Sequence, residues 1–170
     1  MPRPVRRVVT GHDQAGKSIV LSDGEPPQFH SRRGGPADFF EIWNTRGALA
    51  PIRTVEPGEP NDRGTDLGPG GPGTVIRIID VRPIGQGGER TPMHRTATID
   101  YAIVIEGEIV LILDDGKEVV LKPGEVVVQR GTDHAWENRS NAMTRMAFVH
   151  IGGEFTDELK AKLPGMRLTP

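Results

Sequence analysis

The chain has no cysteine. That excludes disulfides, a thiolate nucleophile and any cysteine-built zinc site, and it fits a reducing compartment. No apolar run approaches the roughly 20 residues a membrane helix needs. The apolar start at "VVT" is broken by "GHD" too soon for a signal peptide. There is no surplus of positive charge. The chain carries 21 Lys+Arg against 23 Asp+Glu, a formal net charge of -2, and a nucleic-acid grip usually needs a basic face. The basic "MPRPVRR" at the start is short and reads as a solvated tail. No helix-turn-helix pattern or basic helix is present. These absences describe a soluble, cytoplasmic protein with no nucleic-acid or membrane partner. At 170 residues the chain is long enough for one domain with a real core, not for two.

What the chain does have is Gly 22 and Pro 15, in no fixed repeat. That composition suits many short strands joined by tight turns. "VRRVVT" (5–10), "SIVLS" (18–22) and "PADFFEIWNTR" (36–46) read as strands. Residues 53–73 are dense in Gly, Pro and charge and read as a loop. From 74 onward "TVIRIIDVRP", "IDYAIVIEGE", "IVLILDDGKEVVL", "VVVQ", "HAWEN" and "TRMAFVHIG" alternate with turns. Asp-Gly at 115–116 is a strong hairpin signal, because Gly116 can take the positive φ of such a turn. Strands every 8–12 residues predict an antiparallel sandwich or barrel. One helix is predicted over 157–163, with Thr156 as its N-cap, Asp157 and Glu158 in its first turn and "PG" as its stop. The expected layout is an arm of short strands over 1–52, a Gly/Pro-rich loop over 53–73, a β barrel over 74–155, and a helix and tail over 156–170.

"GHDQAGKS" (11–18) matches a phosphate-binding loop letter for letter. Such a loop must run from a strand directly into a helix whose N–H groups hold the phosphates. Here "IVLSDGEPP" follows, with β-branched residues and then Gly24, Pro26 and Pro27. A hairpin turn with Lys17 in solvent is the expected structure.

Gly88, His94, Thr96, Asp100 and Gly107 fall at the intervals of one motif, G-x5-H-x-H-x3,4-E-x6-G. Gly124, Gly131, His134 and Asn138 follow a second, G-x5-P-x-G-x2-H-x3-N, with Arg130 in place of its Pro and one residue missing. In these motifs, and over residues 74–151, the chain resembles the cupin superfamily. The resemblance implies an all-β fold: a double-stranded β-helix (jelly-roll) barrel of the RmlC-like type, here with an N-terminal β-strand arm and a short C-terminal helix. It also implies a homodimer paired through that arm. In typical members three His and one Glu hold Fe, Mn, Ni, Cu or Zn inside the barrel. Here Thr96 replaces the second His and Asp100 the Glu, so the first metal motif is degenerate.

The residues themselves leave three readings open. His94, Asp100 and His134 suffice for a two-His-one-carboxylate metal site with open positions. They could instead form a metal-free site in which Asp100 orients His94, with His134 opposite as acid–base partner. Or they are hydrogen-bonded side chains of a polar barrel interior. Thr96, sharing a face with His94 in an extended strand, could hold a water or substrate. Tyr101, directly after Asp100, is a candidate residue of the substrate pocket. Trp136 shares a face with His134, although aromatics at such positions commonly just fill the core. His150 could add a third imidazole, although a lone histidine at a strand end is commonly a surface or interface residue. Arg90 could meet a substrate carboxylate at the barrel mouth, while the alternation of an extended strand points Arg95 away from His94. The expected ligand is a small organic molecule. The expected activity is isomerase-, cyclase- or decarboxylase-like proton transfer. The alternatives are non-catalytic binding or sensing without metal, and an interaction scaffold assembled through the arm.

Overall fold

The structure, a computed structural model, describes residues 3–31, 35–53, 58–163 and 165–170. Eleven strands form in chain order: β1 (Arg7–His12), β2 (Ser18–Gly24), β3 (Phe29–Ser31), β4 (Ala37–Thr45), β5 (Thr74–Val81), β6 (Thr98–Glu106), β7 (Ile109–Ile112), β8 (Glu118–Leu121), β9 (Val126–Arg130), β10 (Ala135–Glu137) and β11 (Thr144–Gly152). One helix, α1 (Asp157–Lys162), closes the series. Thr156 caps it as expected, its hydroxyl accepting from the Leu159 N–H at 3.3 Å. Pro164, part of the expected stop, lies outside the described residues, as do Met1 and Pro2 of the basic tail and 54–57 of the expected loop.

All strand pairs are antiparallel, in a six-stranded sheet of order β3-β4-β5-β11-β6-β9, a three-stranded sheet β10-β7-β8 and a separate hairpin β1-β2. Alternation decides which residues enter. On β6, Thr98, Asp100, Ala102 and Val104 are buried while Ile99, Tyr101 and Ile105 are exposed. On β11, Met146, Phe148 and His150 are buried. The apolar core joins Ile79 and Val81 of β5, Val104 of β6, Ile109 and Leu111 of β7, Trp136 of β10 and Met146 and Phe148 of β11, so it draws on both sheets.

Two turns show why glycine stands where it does. Gly107, between β6 and β7, has φ 83°, and a Cβ there would sit 2.7 Å from the Thr144 hydroxyl. In the β7–β8 turn Gly116 takes φ 69° as expected, and Asp115 before it takes φ 57°. The phosphate-loop lookalike is a hairpin turn, with the Asp13 carboxylate accepting the Ala15 and Lys17 N–H groups at 2.9 Å each.

The arm divides differently from the expected boundary at 52. Only β1-β2 forms a sheet of its own. Strand β4 pairs with β5 along nearly its whole length and places Ala37 in the barrel core. Strand β3, three residues long, has no counterpart among the strands read from sequence.

Candidate active site

The barrel encloses a cavity of about 410 Å3, walled chiefly by apolar side chains such as Phe39, Ile79, Trp136 and Phe148. Strand register builds its polar wall. Asp100 on β6 and His150 on β11 are directly paired residues, so their side chains meet on the inner face. His150 Nδ1 lies 2.9 Å from Asp100 Oδ1, and both residues are buried. The other imidazole nitrogen of His150, Nε2, is buried and has no hydrogen-bond partner. His150 stacks parallel on Phe148, with ring centroids 5.8 Å apart and planes 5° apart.

His94 and His134 are joined through their backbones, each N–H donating to the other's carbonyl at 2.9 and 3.0 Å. Their ring centroids are 4.1 Å apart. Each ring is pinned in the same way. His94 Nδ1 donates to the Pro92 carbonyl at 2.9 Å, and His134 Nδ1 to the Thr132 carbonyl at 3.0 Å. Burial, together with the neighbouring His94, pushes the His134 pKa down to about 4, so this ring is neutral at physiological pH.

Gln129 on β9 joins the two groups. Its Nε2 lies 3.2 Å from Asp100 Oδ2, and 2.9 and 3.1 Å from His134 Nδ1 and Nε2. Nδ1 has already given its proton to Thr132, so Nε2 is the nitrogen that accepts from the amide. Gln129 is absent from the motif residues; only its inward phase on "VVVQ" marks it. Thr98, inward on β6, hydrogen-bonds Thr96 at 2.6 Å between hydroxyl oxygens.

The expected residues thus distribute as follows. His94, Thr96, Asp100, His134, Trp136 and His150 all line the cavity. Trp136 is both core and wall, 5.6 Å from Phe148 between centroids. Four expectations need correction. Asp100 orients His150, not His94, because β11 is the strand beside β6. Tyr101 points outward and is exposed, since it is out of phase with Asp100. Arg90 is exposed and outside the cavity wall. His150 is buried at the site rather than at the surface. Arg95 turns away from His94 and pairs with Asp133 at 2.9 Å.

The expected metal ligands do not fit a metal centre in this arrangement. Both Asp100 oxygens accept from His150 and Gln129, and His134 Nε2 takes the Gln129 amide. Among the described residues no group of three or more His, Asp or Glu side chains is arranged to hold an ion.

The cupin-domain family model matches residues 84–151, the segment that carries His94, Asp100, His134 and His150. A cupin-domain-containing oxidoreductase, fogC of Aspergillus ruber, is 33% identical over 158 residues, spanning 85% of this chain and 71% of that protein. The chain belongs to the cupin superfamily. Phomopsin biosynthesis cluster protein C' of Diaporthe leptostromiformis is 39% identical to this cupin over 174 residues, covering 96% of this chain and 86% of the relative. Among solved structures, an RmlC-like cupin from Methanocaldococcus jannaschii aligns with TM-score 0.41 at 22% identity, over 46% of this chain and 70% of that one. Among the described residues no helix is long and apolar enough to cross a membrane.

Proposed function

We propose that this cupin is an enzyme of small-molecule biosynthesis that moves a proton on a substrate held in the barrel. The relatives named for a biosynthesis cluster and for oxidoreductase activity support the enzymatic reading. The observation that carries it is the buried His150–Asp100 pair, in which His150 lines the cavity and one of its imidazole nitrogens has no partner. Asp100 holds the ring through Nδ1, so Nε2 is the position where a proton can arrive. In the neutral ring Nε2 takes a proton from an activated C–H or O–H of the substrate. The carboxylate across the ring stabilises the imidazolium that results, and the Gln129 amide holds that carboxylate in place. Return of the proton to a second substrate atom completes an isomerisation and regenerates the base.

The test is deuterium uptake in D2O, followed by proton NMR on a panel of neutral, enolisable aromatic ketones. The wild type accelerates exchange beside the carbonyl of at least one of them. His150→Phe loses about 10²–10⁴-fold of that rate, the usual range for a positioned base. Equal rates in the two proteins sink the assignment of His150. Ligand binding without any accelerated exchange supports the alternative, a non-catalytic binding cupin. The proposed homodimer is tested by light scattering of the intact chain, where a one-chain mass rejects it.

A further inference from the structure

The cavity polar groups also limit what can enter. From them we infer the substrate class, resting on the proposed use of this cavity: a flat, neutral, aromatic molecule that donates hydrogen bonds through hydroxyl or N–H groups, with carboxylates and phosphates refused. Three imidazoles line the wall, and all three have their Nδ1 partnered by protein oxygens: Pro92 for His94, Thr132 for His134, Asp100 for His150. The Nε2 of His134 is taken by Gln129. What remains is Nε2 of His94 and of His150, a nitrogen that accepts a hydrogen bond whenever its ring carries the proton on Nδ1 alone.

Among the described residues no lysine or arginine lines this cavity. An anionic ligand would lose its hydration with no cation to pair with, a few ångströms from the Asp100 carboxylate. Unpaired burial of charge is among the most unfavourable transfers a protein site can impose. A hydroxyl or N–H donor instead satisfies a buried nitrogen that otherwise has no partner, and an unmade buried bond is itself unfavourable. The walls set the shape. Phe39, Trp136 and Phe148, with the His150 ring stacked flat on Phe148, favour a planar guest that can stack or meet ring edges. The volume of about 410 Å3 is at the small end of ligand cavities.

Isothermal titration of the intact chain with naphthol, methoxynaphthalene and naphthoate at neutral pH tests this. The three share one ring system and differ in being a donor, a blocked donor and an anion. Naphthol is expected to bind about tenfold more tightly than methoxynaphthalene, the equivalent of one net hydrogen bond, and naphthoate more weakly than either. His150→Phe is expected to bring naphthol to the level of methoxynaphthalene and leave the ether's affinity unchanged. His94→Phe, at a half-buried position, provides a second reading of the same loss. Naphthoate binding as tightly as naphthol overturns the inference, and so does naphthol binding no better than its ether. A failure of deuterium exchange with this ranking intact removes the enzyme reading alone. Absence of binding by all three removes both.

Discussion

Among the described residues, the barrel interior holds two buried pairs of a nitrogen donor and a carboxylate, and they are finished differently. Arg77 on β5 faces Glu41 on β4, donating through Nε at 3.2 Å and Nη2 at 2.7 Å to Oε2. The Asn44 amide donates to the remaining Glu41 oxygen, and Arg77 Nη1 reaches the Leu67 carbonyl at 3.5 Å. Both carboxylate oxygens are satisfied, and Arg77 is fully buried. His150 and Asp100 also meet across paired strands, but one ring nitrogen there is left without a partner, in a side chain that lines the cavity. The first pair is closed and structural. The second is left open at one atom, and it is the pair to which we assign the proton transfer. Burial and a carboxylate facing a nitrogen donor are common to both; the unpartnered atom is what separates them.

Breaking the closed pair should cost the most stability. Arg77→Met leaves Glu41 charged and buried, and should lower the free energy of unfolding by about 3–5 kcal/mol in urea titrations. Replacing both partners, Arg77→Met with Glu41→Leu, should restore most of that, since an apolar pair leaves no stranded charge. A double variant as unstable as the single would show that the pair's value lies in its contacts with Asn44 and Leu67. For the open pair the expectation is reversed. Asn at position 100 can still accept from His150 Nδ1, but its amide nitrogen then faces the Gln129 amide, so Asp100→Asn should lower stability by about 1–3 kcal/mol, less than Arg77→Met does. Without the carboxylate's charge, deuterium exchange should fall about 10²–10⁴-fold. A large stability loss with unchanged exchange would place Asp100 in the structural class.

His134 sharpens the contrast through pH. Its folded pKa of about 4 lies below the ordinary 6.5. Between those values the unfolded chain takes up a proton that the folded ring refuses, so stability present above pH 6.5 is lost as pH falls. The difference amounts to about 3 kcal/mol by pH 4. His134→Gln should flatten this part of the profile in denaturation series across that window. An unchanged slope would assign the acid sensitivity to other groups.

Much of this was legible from residue order alone, for a specific reason. Alternation on "IDYAIVIEGE" and "TRMAFVHIG" and the glycines at 107 and 116 are local signals, and the strands and turns they predict are present. Alternation also fixes which side chains share a face with Asp100, and so rules on Tyr101. It does not say which strand lies beside which. The partner of Asp100 is 50 residues away on β11, whereas His94, only six positions away, is the partner that proximity in sequence suggests. The same limit put β4 in the arm, when its partner β5 lies across the long loop. Gln129, a glutamine at a strand's inner face, has no spacing signature; only three-dimensional neighbours reveal its contacts with Asp100 and His134.

The smallest expected effect lies outside both pairs. Thr156→Ala removes the cap of α1, a change worth about 1 kcal/mol in a well-formed helix. Here the helix is six residues long and buries none of them, so global unfolding should register less than that, and amide exchange within 157–162 should rise. The tail beyond has anchors of its own: the Thr169 N–H donates to the Arg95 carbonyl at 2.7 Å, and the Leu67 N–H to the Pro170 carbonyl at 2.8 Å. Thr169 and Leu67 both line the cavity, and Leu67 also accepts from Arg77 of the closed pair. If those anchors suffice, the Thr169 and Leu67 amides stay protected when the helix frays and naphthol affinity does not move. If their protection falls together with the helix, the cap at Thr156 helps to hold the cavity wall, and the open pair depends on a helix that touches neither of its members.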